Sequence, residues 1–157
     1  MARIFITGSS DGLGQLIARQ LIAQGHQVTL HARNSKRAEV AIAGAPGAER
    51  VLIADLSSIA QTKQLASDAN KTGVFDTVIH NAGIGYQERS QKTEDGIAHV
   101  FAINALAPYI LTSLMEKPKN LVYMSSGLHT GGNATLTDVT WTSGRRWDAL
   151  QAYSDSK

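Results

Sequence analysis

The 157 residues contain no cysteine, which excludes disulfide staples and thiolate metal sites. Proline is scarce, with three residues, and aromatics make up only 6%. An excess of one charge is missing too: 15 Lys and Arg face 13 Asp and Glu, a net +2 scattered along the chain. No basic run marks a nucleic-acid or membrane-surface partner. Long apolar runs are also absent. The longest charge-free stretch, Ile97 to Met115, contains His99, Asn104 and Pro108 and has helical apolar spacing, so it reads as a core helix and not as a membrane span. The N-terminus opens directly into Ala2-Arg-Ile-Phe-Ile-Thr7 with no cleavable apolar segment, and a cytoplasmic location is expected. Asn70-Lys-Thr and Asn133-Ala-Thr match a glycosylation pattern, which has no meaning without secretion.

What is present describes one ordinary domain over 1–157, 43% hydrophobic and 18% charged, long enough to bury a core without staples. Short β-branched apolar runs lie at Arg3 to Thr7, Gln27 to Ala32, Arg50 to Ala54, Asp76 to His80 and Asn120 to Met124. Each is continuous in its apolar residues, the pattern of a strand covered on both faces. Helical patterns alternate with them: Leu13 to Gln24 closed by Gly25, Ser35 to Ala43, Ser58 to Lys71 closed by Gly73, and Glu94 to Glu116 stopped near Pro118. Strands alternating with helices predict right-handed crossovers, a parallel sheet and a three-layer α/β/α, doubly wound fold of Rossmann type. A Gly/Thr-rich stretch follows from Gly127 to Gly144, then a short helical pattern from Trp147.

In such sheets ligands sit at the carboxyl ends of the strands, where strand order reverses. After the first strand comes Thr7-Gly8-Ser-Ser10-Asp-Gly12-Leu13-Gly14, leading straight into a helix. Glycines there let backbone approach a pyrophosphate, and a helix N-terminus offers N–H groups and a favourable dipole. A ligand-free turn is the plain alternative. After the second strand, a domain preferring NAD would place an acid about 20 residues beyond the glycines. No Asp or Glu lies between Asp11 and Glu39; the strand instead ends in His31-Ala-Arg33-Asn34, with Lys36 and Arg37 close behind. A guanidinium there suits a 2′-phosphate, which favours NADP(H), although Arg33 could also cap a solvated loop. The third strand is followed by Asp55-Leu56, the fourth by Asn81-Ala82-Gly83, and the fifth by Ser125-Ser126. Farther on, Tyr153-Ser-Asp-Ser-Lys157 sets a phenol and an ammonium on one helix face.

Together, in this order from Ile4 to Lys157, these elements resemble the short-chain dehydrogenase/reductase family, in its conventional TGxxxGxG and YxxxK form. Asp95-Gly96 through Phe101, Asn104 and Pro108, the Ser-Ser-Gly-Leu-His after the fifth strand, and Ala152-Tyr153-Ser resemble its retinol-dehydrogenase and protochlorophyllide-reductase side. The resemblance implies Gly8, Ser10, Gly12, Leu13 and Gly14 for the pyrophosphate loop and Arg33 for the 2′-phosphate. It implies Asp55 and Leu56 for the adenine, and Asn81, Ala82 and Gly83 for the ribose side. Ser126 would polarise the substrate, Tyr153 would be the acid/base, Lys157 its activator, and Asn104 the support of a water chain to the lysine. Ser125 is expected to serve packing or strand-end hydrogen bonding, and His80 stands where asparagine is commoner.

The chemistry supports that constellation independently. Moving a hydride between a nicotinamide and a carbonyl creates or consumes an alkoxide, so a proton must be handled at that oxygen. A free tyrosine is a poor base at neutral pH. An ammonium about 4 Å away favours its anion by roughly 4 kcal/mol at an effective dielectric of 20. His26 and His99 are expected to be satisfied structural histidines, and His31, His80 and His129 lack metal-ligand spacing, so no metal is expected. Trp141 and Trp147, flanking Arg145 and Arg146, read as loop packing ahead of a substrate-pocket rim or an NADP-adjacent patch.

The chain stops at the last of these residues, without the later strands and substrate-binding segment that the resemblance implies. A fragment of a longer enzyme, or a chain completed by a partner, is therefore expected, with the fifth strand as an exposed edge. Three functions stay open: an NADP(H)-dependent oxidoreductase of a small carbonyl or alcohol substrate, a non-catalytic dinucleotide sensor, and an interaction domain. Pairing of identical chains is compatible with all three.

Overall fold

The computed structural model describes residues 1–86, 89–133 and 135–157. Among them, five strands lie parallel: β1 (Arg3–Ile6), β2 (Gln27–Ala32), β3 (Arg50–Ile53), β4 (Thr77–His80) and β5 (Asn120–Tyr123), in the order β3-β2-β1-β4-β5. Strand alternation sorts the core. Phe5 and Val78 point to one face, where they pack with Leu65, Ala66, Ala69 and Leu111; Ile4, Ile6, Val28, Leu30 and Ile79 point to the other, against Ala18 and Ala41. Each large side chain so buried contributes about 1.5–3 kcal/mol.

The helices on these faces are α1 (Gly12–Ala23), α2 (Ser35–Gly44) and α3 (Ile59–Lys71). A longer helix, α4, runs through α-helical turns at His99–Phe101, a π-helical segment at Ala102–Leu106 and α-helical turns at Ala107–Leu114. The last, α5, spans Ala149–Asp155. Local signals fix their starts: Asn34 accepts from Arg37 N at 2.9 Å, Ser58 from Gln61 N at 3.4 Å and Asp148 from Gln151 N at 2.9 Å. The fold class is therefore that of the sequence reading: a doubly wound sheet between two helical layers, with its strand order reversing beside β1.

Two expectations are corrected. The helix predicted from Glu94 begins at His99, because Asp95-Gly96 turns the chain with Gly96 at φ +77°. Glu94 and Asp95 are used elsewhere, accepting from Ser58 Oγ and from Ile59 N at the start of α3. Nor are all strands covered on both faces: every residue of β5 is exposed, and β3 is only partly covered. Both are outermost strands with one neighbour each. Of the glycosylation matches, Asn70 braces α3 against the end of α4, donating to Leu114 O and accepting from Glu116 N, both at 2.9 Å. The Asn133 match runs through residue 134, outside the described residues. No helix among the described residues is long and apolar enough to cross a membrane.

Candidate active site

Because every strand runs the same way, the loops after β1 to β5 open onto one rim, and a cleft of about 640 Å³ lies there. The loop after β1 forms its floor with Gly8, Ser10, Gly12, Leu13 and Gly14. Gly8 has φ +62°, and a Cβ built on it would meet Ala82 Cα at 2.7 Å, so only glycine lets β1's loop lie against that of β4. At Gly14 a Cβ would come within 2.4 Å of both Asn81 Nδ2 and Gly8 O. α1 begins at this loop with Asp11 at its N-cap position, yet no side chain caps it. The first-turn N–H groups of Leu13 and Gly14 thus lack the usual side-chain acceptor and face an anion-ready cleft.

β2 and β3 supply the next wall. Arg33 lines the cleft and makes no hydrogen bond or ion pair with any described residue. Arg37 also turns in, its Nε and Nη2 donating to Ser10 Oγ at 3.3 and 3.1 Å and its Nη2 to Asp11. Asp55 and Leu56 follow β3 in the same wall. Asp55 accepts from Ser57 N and Oγ at 2.9 and 2.8 Å, which shapes its own turn.

His31, which the sequence shows only as lacking metal-ligand spacing, is central here. Its buried Nδ1 accepts from Gly8 N at 3.0 Å, while Nε2 donates to Ala54 O at 2.9 Å. Its backbone N donates to Ser9 Oγ at 2.9 Å, and its carbonyl accepts from Ser9 N at 3.1 Å. These bonds fix one neutral tautomer and tie three strand ends together. Burial pushes its pKa down to about 4, with the Ala54 carbonyl and the Asp55 charge pulling the other way.

Beyond β4, Asn81, Ala82 and Gly83 line the cleft beside Tyr153 of α5 and Lys157, which lies past the end of that helix and not, as expected, on one helical face with the tyrosine. Lys157 Nζ lies 5.6 Å from the centre of the Tyr153 ring. Asn104, in the π-helical segment of α4, accepts from Ile84 N at 2.8 Å and donates to Ile84 O at 3.0 Å and Ser156 Oγ at 2.9 Å. It thereby binds the β4 loop to the chain between Tyr153 and Lys157. Ser126, expected to face the substrate, is not among the residues lining the cleft; it starts a 3-10 turn at Gly127–Gly131, its hydroxyl accepting from Leu128 N at 3.3 Å.

Three expectations change. Ser125, expected to pack, is exposed on the cleft wall and bonds to no described residue. His99, expected to be satisfied, lines the cleft with a buried Nδ1 that has no described partner. His80 is no mere variation: it is buried, its Nε2 pairs with Thr112 Oγ1 at 3.1 Å, and it stacks on Tyr123 at 4.9 Å. Burial pushes its pKa down to about 4. Packing holds for the tryptophans, since Trp141 is buried edge-on to Trp147 at 4.8 Å with Arg145 over its ring at 3.4 Å. Arg145 is in turn held by Asp138 and Asp155, both at 3.4 Å.

Comparison with known proteins agrees with this architecture. The family model for the short chain dehydrogenases matches residues 2–135, and the chain belongs to that family. An uncharacterized oxidoreductase of Emericella nidulans is 61% identical over 143 residues, which cover 89% of this chain and 56% of that protein. Mouse (Mus musculus) retinol dehydrogenase 13 is 27% identical over 169 residues, 98% of this chain and 49% of its own, in keeping with the retinol-dehydrogenase side of the family. Among solved structures, an uncharacterized protein from Mycobacterium paratuberculosis superposes with a TM-score of 0.87 at 31% identity, over 100% of this chain and 57% of that one. A metagenomic short-chain oxidoreductase in complex with NADP superposes with a TM-score of 0.70 at 26% identity, over 99% of this chain and 69% of that one. The chain spans 56–61% of the length of three curated relatives that are 45–61% identical to it.

Proposed function

We propose that the chain, as a single dinucleotide-binding domain over 1–157, carries the cofactor site and proton-handling groups of an NADP(H)-dependent oxidoreductase acting on a small carbonyl or alcohol. The observation that carries this is the convergence, in one cleft, of an uncapped helix start and a tyrosine paired with a lysine. The glycine loop fits a dinucleotide, because Gly8 and Gly14 let the loops after β1 and β4 pack with no side chain between them, and the first-turn N–H groups of α1 have no side-chain acceptor. The NADP complex of the metagenomic relative supports the same cofactor class here.

Gly12, Leu13 and Gly14 would hold the pyrophosphate through backbone N–H groups, Arg33 the 2′-phosphate, Asp55 and Leu56 the adenine, and Asn81 to Gly83 the ribose side. A bound nicotinamide supplies or accepts the hydride. Tyr153 gives its hydroxyl proton to the substrate oxygen, or takes one from it, with the Lys157 ammonium 5.6 Å from the centre of its ring. Ser126 accepts from Leu128 N and so keeps its own hydroxyl proton for the substrate oxygen. Asn104 holds the segment bearing both groups against the β4 loop, which fixes their approach.

The test is titration with NADPH followed by turnover of a panel of aldehydes and ketones. Saturable binding and NADPH oxidation are expected, and Tyr153→Phe should abolish turnover while leaving binding intact. An unchanged rate in Tyr153→Phe would refute the assigned chemistry. Binding without turnover of any carbonyl would leave a dinucleotide sensor.

A further inference from the structure

An aspartate at the N-cap position normally turns its carboxylate onto the N–H groups of the second and third helical residues. Asp11 occupies that position before α1 in extended backbone, φ −161°, yet it makes no such bond. Its carboxylate is instead paired with Arg37 Nη2. Arg37 is well placed for this. It stands in the first turn of α2, where Asn34 fixes its backbone N at 2.9 Å, and its guanidinium is steadied by Ser10 Oγ. The acceptor that would compete with an anionic ligand for Leu13 and Gly14 is therefore held aside by a cation from the neighbouring crossover.

We propose that Arg37 is a positioning residue for the dinucleotide site: it keeps the Asp11 carboxylate off the first turn of α1, so that those N–H groups remain available to the ligand's pyrophosphate. The inference rests on the cofactor reading above. Without Arg37, Asp11 can rotate to cap α1, which both occupies the donors and places a negative charge where the diphosphate must sit. This role differs from direct contact with a 2′-phosphate. Direct contact affects only NADPH, whereas release of Asp11 affects every ligand with a diphosphate.

NADH shares the diphosphate with NADPH but lacks the 2′-phosphate, so its affinity reads Arg37 free of any 2′-phosphate contact. The experiment is titration of wild type, Arg37→Ala, Asp11→Ala and the double variant with NADH and with NADPH, alongside amide hydrogen exchange at Leu13 and Gly14 in the free proteins. Arg37→Ala should weaken NADH and NADPH alike, NADH by about fivefold, the scale of one N-cap hydrogen bond. Exchange at Leu13 and Gly14 should slow. Adding Asp11→Ala should return NADH affinity to within about twofold of wild type and restore fast exchange. Both side chains are largely solvent-exposed or at the rim, and thermal melts should show all four proteins folded. NADH affinity untouched by Arg37→Ala, or a loss that persists in the double variant, would overturn the proposal while leaving the cofactor reading standing. A folded wild type that binds neither dinucleotide would overturn that reading, and this inference with it.

Discussion

The Asn81 side-chain amide donates to the carbonyls of Thr7 at 3.0 Å and Gly8 at 2.9 Å, so the loop after β4 and the loop after β1 form one unit. Asn81 N and Ala82 N return the contact by donating to Thr7 Oγ1 at 3.1 and 3.0 Å. Gly14 is the third member, since a Cβ there would press on Asn81 Nδ2 and Gly8 O at once. Gly14→Ala should accordingly cost about 1–3 kcal/mol of stability, the range for overpacking a site that cannot relax, and weaken NADPH as well. Thermal denaturation and NADPH titration check this. A variant with wild-type melting and affinity would show that the junction has slack.

Arg33 has no described partner to lose, so Arg33→Ala should leave stability within about 0.5 kcal/mol of wild type, as surface substitutions do. NADPH affinity should fall about tenfold, the scale of one charge-assisted phosphate contact, while NADH affinity holds. Equal losses for the two dinucleotides would remove the 2′-phosphate assignment.

Gly83 tests how closely the lysine is held. A Cβ there would lie 3.2 Å from Lys157 Nζ and 3.4 Å from Asn104 Oδ1. The ammonium sits at the end of a flexible chain and would give way by a few tenths of an ångström without unfolding anything. Gly83→Ala should therefore melt like wild type yet turn over about tenfold more slowly, a modest case of misplacement in an active site. Full activity would place the working lysine position elsewhere.

Acid should loosen the fold through its buried histidines. His31 moves from an ordinary 6.5 to about 4 on folding, so the unfolded chain binds the extra proton first. Stability is complete above pH 6.5 and declines as pH falls toward 4, by on the order of 3 kcal/mol for this residue. His80 acts in the same direction. Urea unfolding between pH 7 and 4.5 measures the slope. His31→Gln should flatten it, and an identical slope in that variant would show that His31 is not among the groups responsible.

Much of this architecture is legible in the chain because local physics specifies it. Asn34, Ser58 and Asp148 each precede a helix and each cap one, and the continuous apolar runs become the five strands. What was not legible depends on residues far apart in sequence. His31 looks like one polar residue in an apolar strand until Gly8 and Ala54, each 23 residues away, meet its two ring nitrogens. Lys36 and Arg37 are indistinguishable as a basic pair, and only the start of α2 decides that Arg37 faces the cleft. Glu94 reads as helix because its use by Ser58 spans 36 positions. An apolar run likewise cannot announce that β3 will be outermost.

The wide turn at Ala102–Leu106 gives the chain's numbering a geometric meaning. A π-turn holds one residue more than an α-turn over the same span, and each residue of an ordinary helix advances the side chains by about 100°. A one-residue deletion there would straighten α4 and swing Asn104 a quarter-turn or more from Ile84 and Ser156. A change of length at this turn would thus be felt first around Asn104, in the contacts that hold Ile84 and Ser156 together.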